Sequence, residues 1–276
     1  MKASALAIAR HLALVLVATI LLLPVYWLIM SAFRPADDIF RYAGEFGLAT
    51  LLPRRLTLEN FHQIFAGTFP RALFNSLFVC TATVTLGVLV NSMAGFAFAV
   101  FDFPFRRALF IIVLLSFMMP FESIVIPLYT LVRTLHWTDT YAALILPEVA
   151  GGLIIFLFRQ FFAGIPREIY EAARVDGASW WQIYWQMTLP LSGPTIATAS
   201  LMMFIHQWDA FFWPLVATSS ADLAVVQVAI ARNMTLEQAN WGALFASAST
   251  AVIVAAVPFF ILQRSYVRVV AVQADK

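Results

Sequence analysis

Long stretches without charge are the strongest constraint on what this chain can fold into. Residues 12–33, 72–101 and 238–263 contain no Asp, Glu, Lys or Arg. Three more stretches carry one acid each: 108–132 holds Glu122, 141–158 holds Glu148, and 190–218 holds Asp209. A bilayer core about 30 Å thick is crossed by roughly 20 apolar residues of helix. Backbone amides find no water in lipid, so spans that do not alternate in polarity must be helices rather than barrel strands. The expectation is an all-α integral membrane protein with six transmembrane helices, at about 12–33, 72–101, 108–132, 141–163, 191–218 and 241–263. Together with a segment at 164–190 they make residues 1–276 a single membrane domain.

Composition agrees with that expectation. Hydrophobic types make up 62% of the 276 residues and charged types 12%, about half the share in a soluble domain. The excess of apolar residues excludes disorder, and a net charge of +2 argues against a nucleic-acid partner. The single cysteine, Cys80, precludes an internal disulfide. His11, His62, His136 and His206 are too scattered for a metal site. Lysine occurs only at Lys2 and Lys276. A phosphate loop needs an internal lysine, so the chain binds no nucleotide in that way and brings no cofactor of its own. Neither an H-E-x-x-H nor a G-x-S-x-G motif is present, so no enzyme chemistry is expected.

The first apolar stretch follows Lys2 and Arg10. It is longer than a signal-peptide core, and no small-residue cleavage site follows, so it reads as a retained anchor. With both termini inside, ten basic residues fall on the inner segments: Lys2, Arg10, Arg106, Arg107, Arg159, Arg167, Arg174, Arg264, Arg268 and Lys276. The outer connections hold seven. This bias places both termini in the cytoplasm, in a multi-pass protein of the plasma (cell inner) membrane. The longest outer connection, Arg34–Pro70, is rich in turn residues and aromatics and is the expected docking surface for an external partner.

One stretch breaks the membrane pattern. Pro166 can open a helix, Arg167–Arg174 reads as a short amphipathic helix, and Asp176-Gly177 is a turn signal. A second short helix carrying Trp180, Trp181 and Trp185 runs to Leu189-Pro190. Taken alone, this helix pair could simply lie at the lipid headgroups. Its spacing adds more. Glu171-Ala172-Ala173, then Gly177, Met187 and Leu189-Pro190, resembles the cytoplasmic coupling motif of ABC importer permeases, with Met187 where that family usually has Ile. The resemblance extends to Phe74-Asn75-Ser76-Leu77, Phe103-Pro104-Phe105-Arg106-Arg107, Met119-Pro120, Ile126-Pro127-Leu128-Tyr129, Trp208–Pro214 and Gln263-Arg264. Together these look like the maltose-type, carbohydrate-uptake branch, and within it the second, six-span permease subunit. Asp209 stands where the branch often has Asn, and the tail Val267–Lys276 lacks the usual glycine-containing ending.

The resemblance implies a type I ABC importer permease fold with a cytoplasmic coupling helix. It implies an ATPase dimer that carries ATP and Mg, a homologous second permease subunit, and an extracytoplasmic solute-binding protein. The ATPase-coupling residues would be Glu171, Ala172, Ala173, Asp176, Gly177, Leu189 and Pro190, with the small residues allowing close approach and the three tryptophans packing the second helix onto the span ends. A carbohydrate or polyol path would use Glu122, His206, Trp208, Asp209 and Phe212, because carboxylates accept sugar hydroxyls and rings meet sugar C–H faces. Equally, Asp209 and His206 could pair within the bundle, and Glu122 could satisfy amides freed between Pro120 and Pro127. Around Gly151-Gly152, after Pro147 and Glu148, a kinked helix is expected, serving as a hinge or as a tight packing site. Arg159 reads as a snorkelling anchor. The rival to an importer subunit is a secondary carrier or channel working without an ATPase, although the paired inverted repeats of such carriers are not visible.

Overall fold

The computed structural model describes residues 2–41, 47–234 and 240–274, with side chains described for 6–41, 47, 50–234 and 240–261. Of the positions singled out above, Lys2, Gln263, Arg264 and the tail from Val267 have side chains outside that range. The described residues are helix and turn almost throughout. Three helices are each long and apolar enough to cross a membrane: α1 (Lys2–Ala32), α3 (Phe69–Val100) and α13 (Trp241–Ala274). Three bent pairs qualify when each pair is taken as one span. The chain divides into two compact units, Met1–Pro70 with Ala229–Val254 and Arg71–Val228 with Ala255–Lys276.

In the first unit the end of α1 meets the start of α13 and the long connection. Trp27 meets Phe245 edge-on at 5.3 Å and Phe40 meets Trp241 at 4.9 Å. The short helix α2 (Glu59–Ala66) buries Asn60, whose amide donates to Ala32 O at 2.9 Å and Arg34 O at 2.7 Å, carbonyls released where α1 stops. Gly242 makes room for it, since a Cβ there would lie 2.1 Å from Asn60 Oδ1. Asp38 accepts from Arg55 at 2.8 and 3.0 Å and from Arg41 at 3.2 Å, and the Arg55 guanidinium holds its carboxyl below the usual carboxylate range.

The second unit contains the bent pairs. The stretch expected as one span at 108–132 is two helices, α4 (Arg106–Met118) and α5 (Phe121–Thr134), bent by 104°. Pro120 forces Met119 into an extended conformation (ψ 128°), which ends α4, whereas Pro127 is absorbed inside α5. Helices α6 (Tyr141–Val149) and α7 (Gly152–Ala163) bend by 41° at Ala150-Gly151. Gly152 also packs tightly there, since a Cβ would lie 2.4 Å from Val113 O of α4. After α8 (Arg167–Val175), helix α9 (Trp180–Leu191) turns by 77° into α10 (Gly193–Trp208). The fifth span was expected to open at Pro190 and run to 218. It opens instead at Gly193-Pro194 and stops at Trp208, before the short helix α11 (Phe212–Ala217).

Helix α3 organises this unit through two Asn-Ser pairs, all four residues buried. Near its start, the Asn75 amide donates to Asp222 O and Ala224 O, its carbonyl accepts the Tyr141 hydroxyl at 2.7 Å, and Ser76 Oγ accepts Val226 N. Further along, Asn91 donates to Val149 O at 2.7 Å and accepts Gly151 N at 2.9 Å, so one side chain satisfies both sides of the α6–α7 break. Ser92 shares a 2.7 Å hydrogen bond with the Tyr184 hydroxyl. Two apolar cores lie at opposite ends of α3. One contains Val79 with Leu144 and Trp213, the other Phe96 with Phe158 and Tyr184. Their anchor residues on α3 are about 25 Å apart at helical rise.

Replacing Asn91 by Leu strands a carbonyl and an amide in an apolar interior. It is expected to destabilise the detergent-purified chain by about 1–3 kcal/mol in thermal or denaturant unfolding, whereas Thr130→Ala stays within about 0.5 kcal/mol. Because Asp38 has a lowered pKa in the folded chain, its pairing contributes stability above the ordinary carboxylate pKa and loses it as pH falls. The protection factors of residues 33–41 and 50–60 against hydrogen exchange should therefore fall on acidification, and Asp38→Asn should show the lower protection already at neutral pH.

Candidate functional site

Helices α8 and α9 form a hairpin whose turn follows from sequence. Glu168 lies in the first turn of α8 and Arg174 in the last, each matched to the helix dipole. Asp176 caps the helix, and Gly177 takes a left-handed conformation at φ +84°. Gly177 N donates to Arg174 O at 3.1 Å and Ala178 N to Ala173 O at 3.0 Å, the paired bonds of a Schellman stop. A Cβ on Gly177 would meet nothing within 4 Å. The glycine supplies the left-handed backbone angle that the turn requires. Arg174 then donates to Ala178 O and lies 5.2 Å over the Trp180 ring, closing the hairpin. Ser179 and Gln182 cap α9 reciprocally.

The hairpin has one face in the core and one in the open. Tyr170, Ile183 and Tyr184 are buried with Phe96, Phe158 and Phe162, and Ala173, Met187 and Leu189 pack around them. The Tyr170 hydroxyl donates to Phe162 O, and burial raises its pKa above the ordinary phenol value, so it remains a donor. The tryptophans expected to pack α9 onto the spans are instead largely exposed: Trp180 37%, Trp181 59% and Trp185 40%. Trp180 meets Phe101, just past the end of α3, edge-on at 5.0 Å. Tyr184 does the packing, because a π turn over Ile183–Thr188 rotates it inward. On the open face are Glu168, Glu171, Ala172, Val175 and Asp176, with Pro190 also exposed.

A separate cavity of about 370 Å³ lies beside the α10–α11 break. His206, Asp209 and Phe212 line it, joined by Glu148, Phe121 and Trp213. His206 Nε2 lies 3.2 Å from Glu148 Oε2, so the histidine pairs across helices and not with Asp209 on its own chain segment. Phe121 meets Phe212 and Trp213 edge-on at 6.4 Å, and the Trp213 indole donates to Ala143 O. Trp208 and Glu122 are not on this wall. Trp208 turns inward, buried and stacked on Phe204 at 5.6 Å. Glu122 is exposed and, among the described residues, bonds none of the amides freed at Pro120. Sequence reasoning named Glu148 only as part of a kink. The signal that could have paired it with His206 is that an ionisable group at bilayer depth requires a partner.

Residues 84–271 match the family described as "Binding-protein-dependent transport system inner membrane component". The chain is 34% identical to the arabinooligosaccharides transport system permease protein of Halalkalibacterium halodurans, covering 91% of this chain and 90% of that protein. It is 31% identical to the sn-glycerol-3-phosphate transport system permease protein of Agrobacterium fabrum, covering 95% and 94%. In fold it matches a chain from the crystal structure of a bacterial ABC transporter involved in import of the acidic polysaccharide alginate, with TM-score 0.82 at 20% identity over 96% of this chain and 97% of that one. The match to a chain of the alginate transporter in complex with its pentasaccharide-bound periplasmic protein has TM-score 0.54 at 19% identity, over 94% and 92%.

The left-handed conformation of Gly177 gives a prediction. Ala costs about 1–2 kcal/mol in a left-handed position, while the larger Asn tolerates it better. Hydrogen exchange of residues 178–188 should therefore rise in Gly177→Ala and rise less in Gly177→Asn.

Proposed function

The chain belongs to the family of binding-protein-dependent transport system inner membrane components, and from that premise we propose that it is one of two permease subunits of an ATP-driven importer of a neutral carbohydrate or polyol. The observation that carries this reading is the two-faced hairpin at 164–190. Its exposed Glu168, Glu171, Ala172 and Val175 form a small, mixed apolar and acidic surface suited to a groove on a separate ATPase, which holds the ATP and Mg. Its other face shares a core with the ends of α3, α7 and α10. Closure of an ATPase dimer therefore moves the hairpin and those three helices together, and alternating access follows as rigid rocking about a midplane site.

Helix α1 exposes apolar side chains such as Leu12, Leu16 and Leu23, a surface for lipid and for a homologous second permease. The excess of basic residues puts both termini and the hairpin in the cytoplasm. The Arg34–Pro70 connection then faces outward, where a solute-binding protein delivers its cargo.

The cavity supports the choice of solute. Relatives of this chain are named for arabinooligosaccharides and for sn-glycerol-3-phosphate. Two carboxylates, Glu148 and Asp209, face the cavity with His206 and aromatic rings, and neither Arg nor Lys lines it. Carboxylates accept sugar hydroxyls and repel a phosphate, so the neutral solute fits.

The test is uptake by the assembled transporter in proteoliposomes. Ala172→Trp should lower ATP-driven uptake about tenfold or more while leaving the unfolding midpoint of the exposed site unchanged. Unchanged uptake overturns the coupling assignment, and ATP-independent flux through the lone chain favours a carrier. Neutral oligosaccharide should be taken up at least about tenfold faster than glycerol 3-phosphate.

A further inference from the structure

Between α3 and α4 the chain turns sharply at Phe105, which has φ 63° and a ring 81% exposed. A bulky residue rarely adopts a left-handed conformation. The turn sets Arg106 and Arg107 beside Arg159, near the end of α7, and Arg167, at the start of α8. The four arginines line a cavity of about 690 Å³.

Their charges are poorly balanced. Among the described residues, Asp102 is the only carboxylate on the cavity wall. It is ion-paired with Arg106, which also donates to Phe101 O, and it lies 4.0 Å from Arg167. Arg159 lies 4.4 Å over the Phe110 ring and donates to the neutral amide of Gln160. Arg107 makes no hydrogen bond or ion pair among the described residues. One carboxylate thus serves both Arg106 and Arg167, while Arg107 and Arg159 have no ion pair among the described residues, and all four arginines converge on one concave space. Guanidinium forks bind phosphate oxygens in pairs, which suits such a space.

The surroundings indicate where the phosphate comes from. Phe105, Leu109 and Ile112 are exposed at 81%, 44% and 61% along one stripe of α4, beginning at the cavity mouth. A ligand with its phosphate among the arginines could lay acyl chains along that stripe. Basic pockets between span ends are suited to anionic headgroups. We propose that this cavity binds the phosphate of an anionic phospholipid, with Arg107 and Arg159 as its main ligands. Only the leaflet, cytoplasmic, rests on the orientation given above, and the binding does not.

The test uses the full chain in nanodiscs of phosphatidylcholine doped with phosphatidylglycerol or cardiolipin, with retained lipids read by native mass spectrometry. The wild type should retain the anionic lipid in preference to phosphatidylcholine. Arg107→Gln/Arg159→Gln should lower that retention about tenfold or more, while Arg133→Gln leaves it unchanged. If the double variant is poorly folded, Arg107→Gln alone, at an exposed side chain, should still lower retention severalfold. Equal retention by wild type and variants overturns the proposal. Displacement of the bound species by millimolar inorganic phosphate, without lipid preference, assigns the site to a soluble anion and also overturns it. So does release of the lipid when the ATPase is added, which would make the arginines part of a protein interface. Leaflet orientation is read separately, by thiol labelling of single-cysteine variants, so an error there leaves the binding result intact.

Discussion

A helix that stops inside an apolar environment leaves carbonyls and amides that no water can satisfy, and this structure meets that constraint with buried asparagines. Asn60 takes two carbonyls at the end of α1, Asn75 takes two from the 222–224 connection, and Asn91 bridges the α6–α7 break. Asparagine suits the role because one planar group offers both donor and acceptor. Where an asparagine reaches, the chain can leave the helix without an unpaired polar group. In the second unit the α6–α7 break depends on this.

The same helix that carries Asn75 and Asn91 carries Ser92, which holds Tyr184 of the hairpin. A single helix thus links the connection at 222–226, the break at 150–151 and the 164–190 hairpin. The hairpin is therefore no appendage on the membrane surface. Its buried tyrosines belong to the core that fixes α3, α7 and α10, so a force applied to its exposed face reaches the spans through close-packed side chains.

The sequence made some of this legible and some not, for identifiable reasons. Charge-free runs reveal spans because lipid excludes charge, and Gly151-Gly152 marked a break because two adjacent glycines weaken a helix. Pro166 and the Asp176-Gly177 turn signal marked the hairpin. Which of Pro120 and Pro127 would end a helix was not readable, since a proline's effect depends on whether neighbours satisfy the freed carbonyl. The π turn at Ile183–Thr188, with Tyr184 buried in the core, left no mark that the sequence reading used. The His206–Glu148 pair joins residues on different helices, and one chain without an alignment does not reveal such pairs.

The π turn also affects how this segment tolerates change in length. Six residues in π geometry hold one more residue than the α-helix would over the same rise. Deleting one residue from 183–188 would leave a regular helix, with no gap to close. Six π residues and five α residues turn through about the same angle, so the helix before the deletion keeps its facing relative to α10 and Tyr184 stays beside Ser92. Length variation here is then absorbed inside the turn, and a relative shorter by one of the residues after Tyr184 would present the same surface of its hairpin.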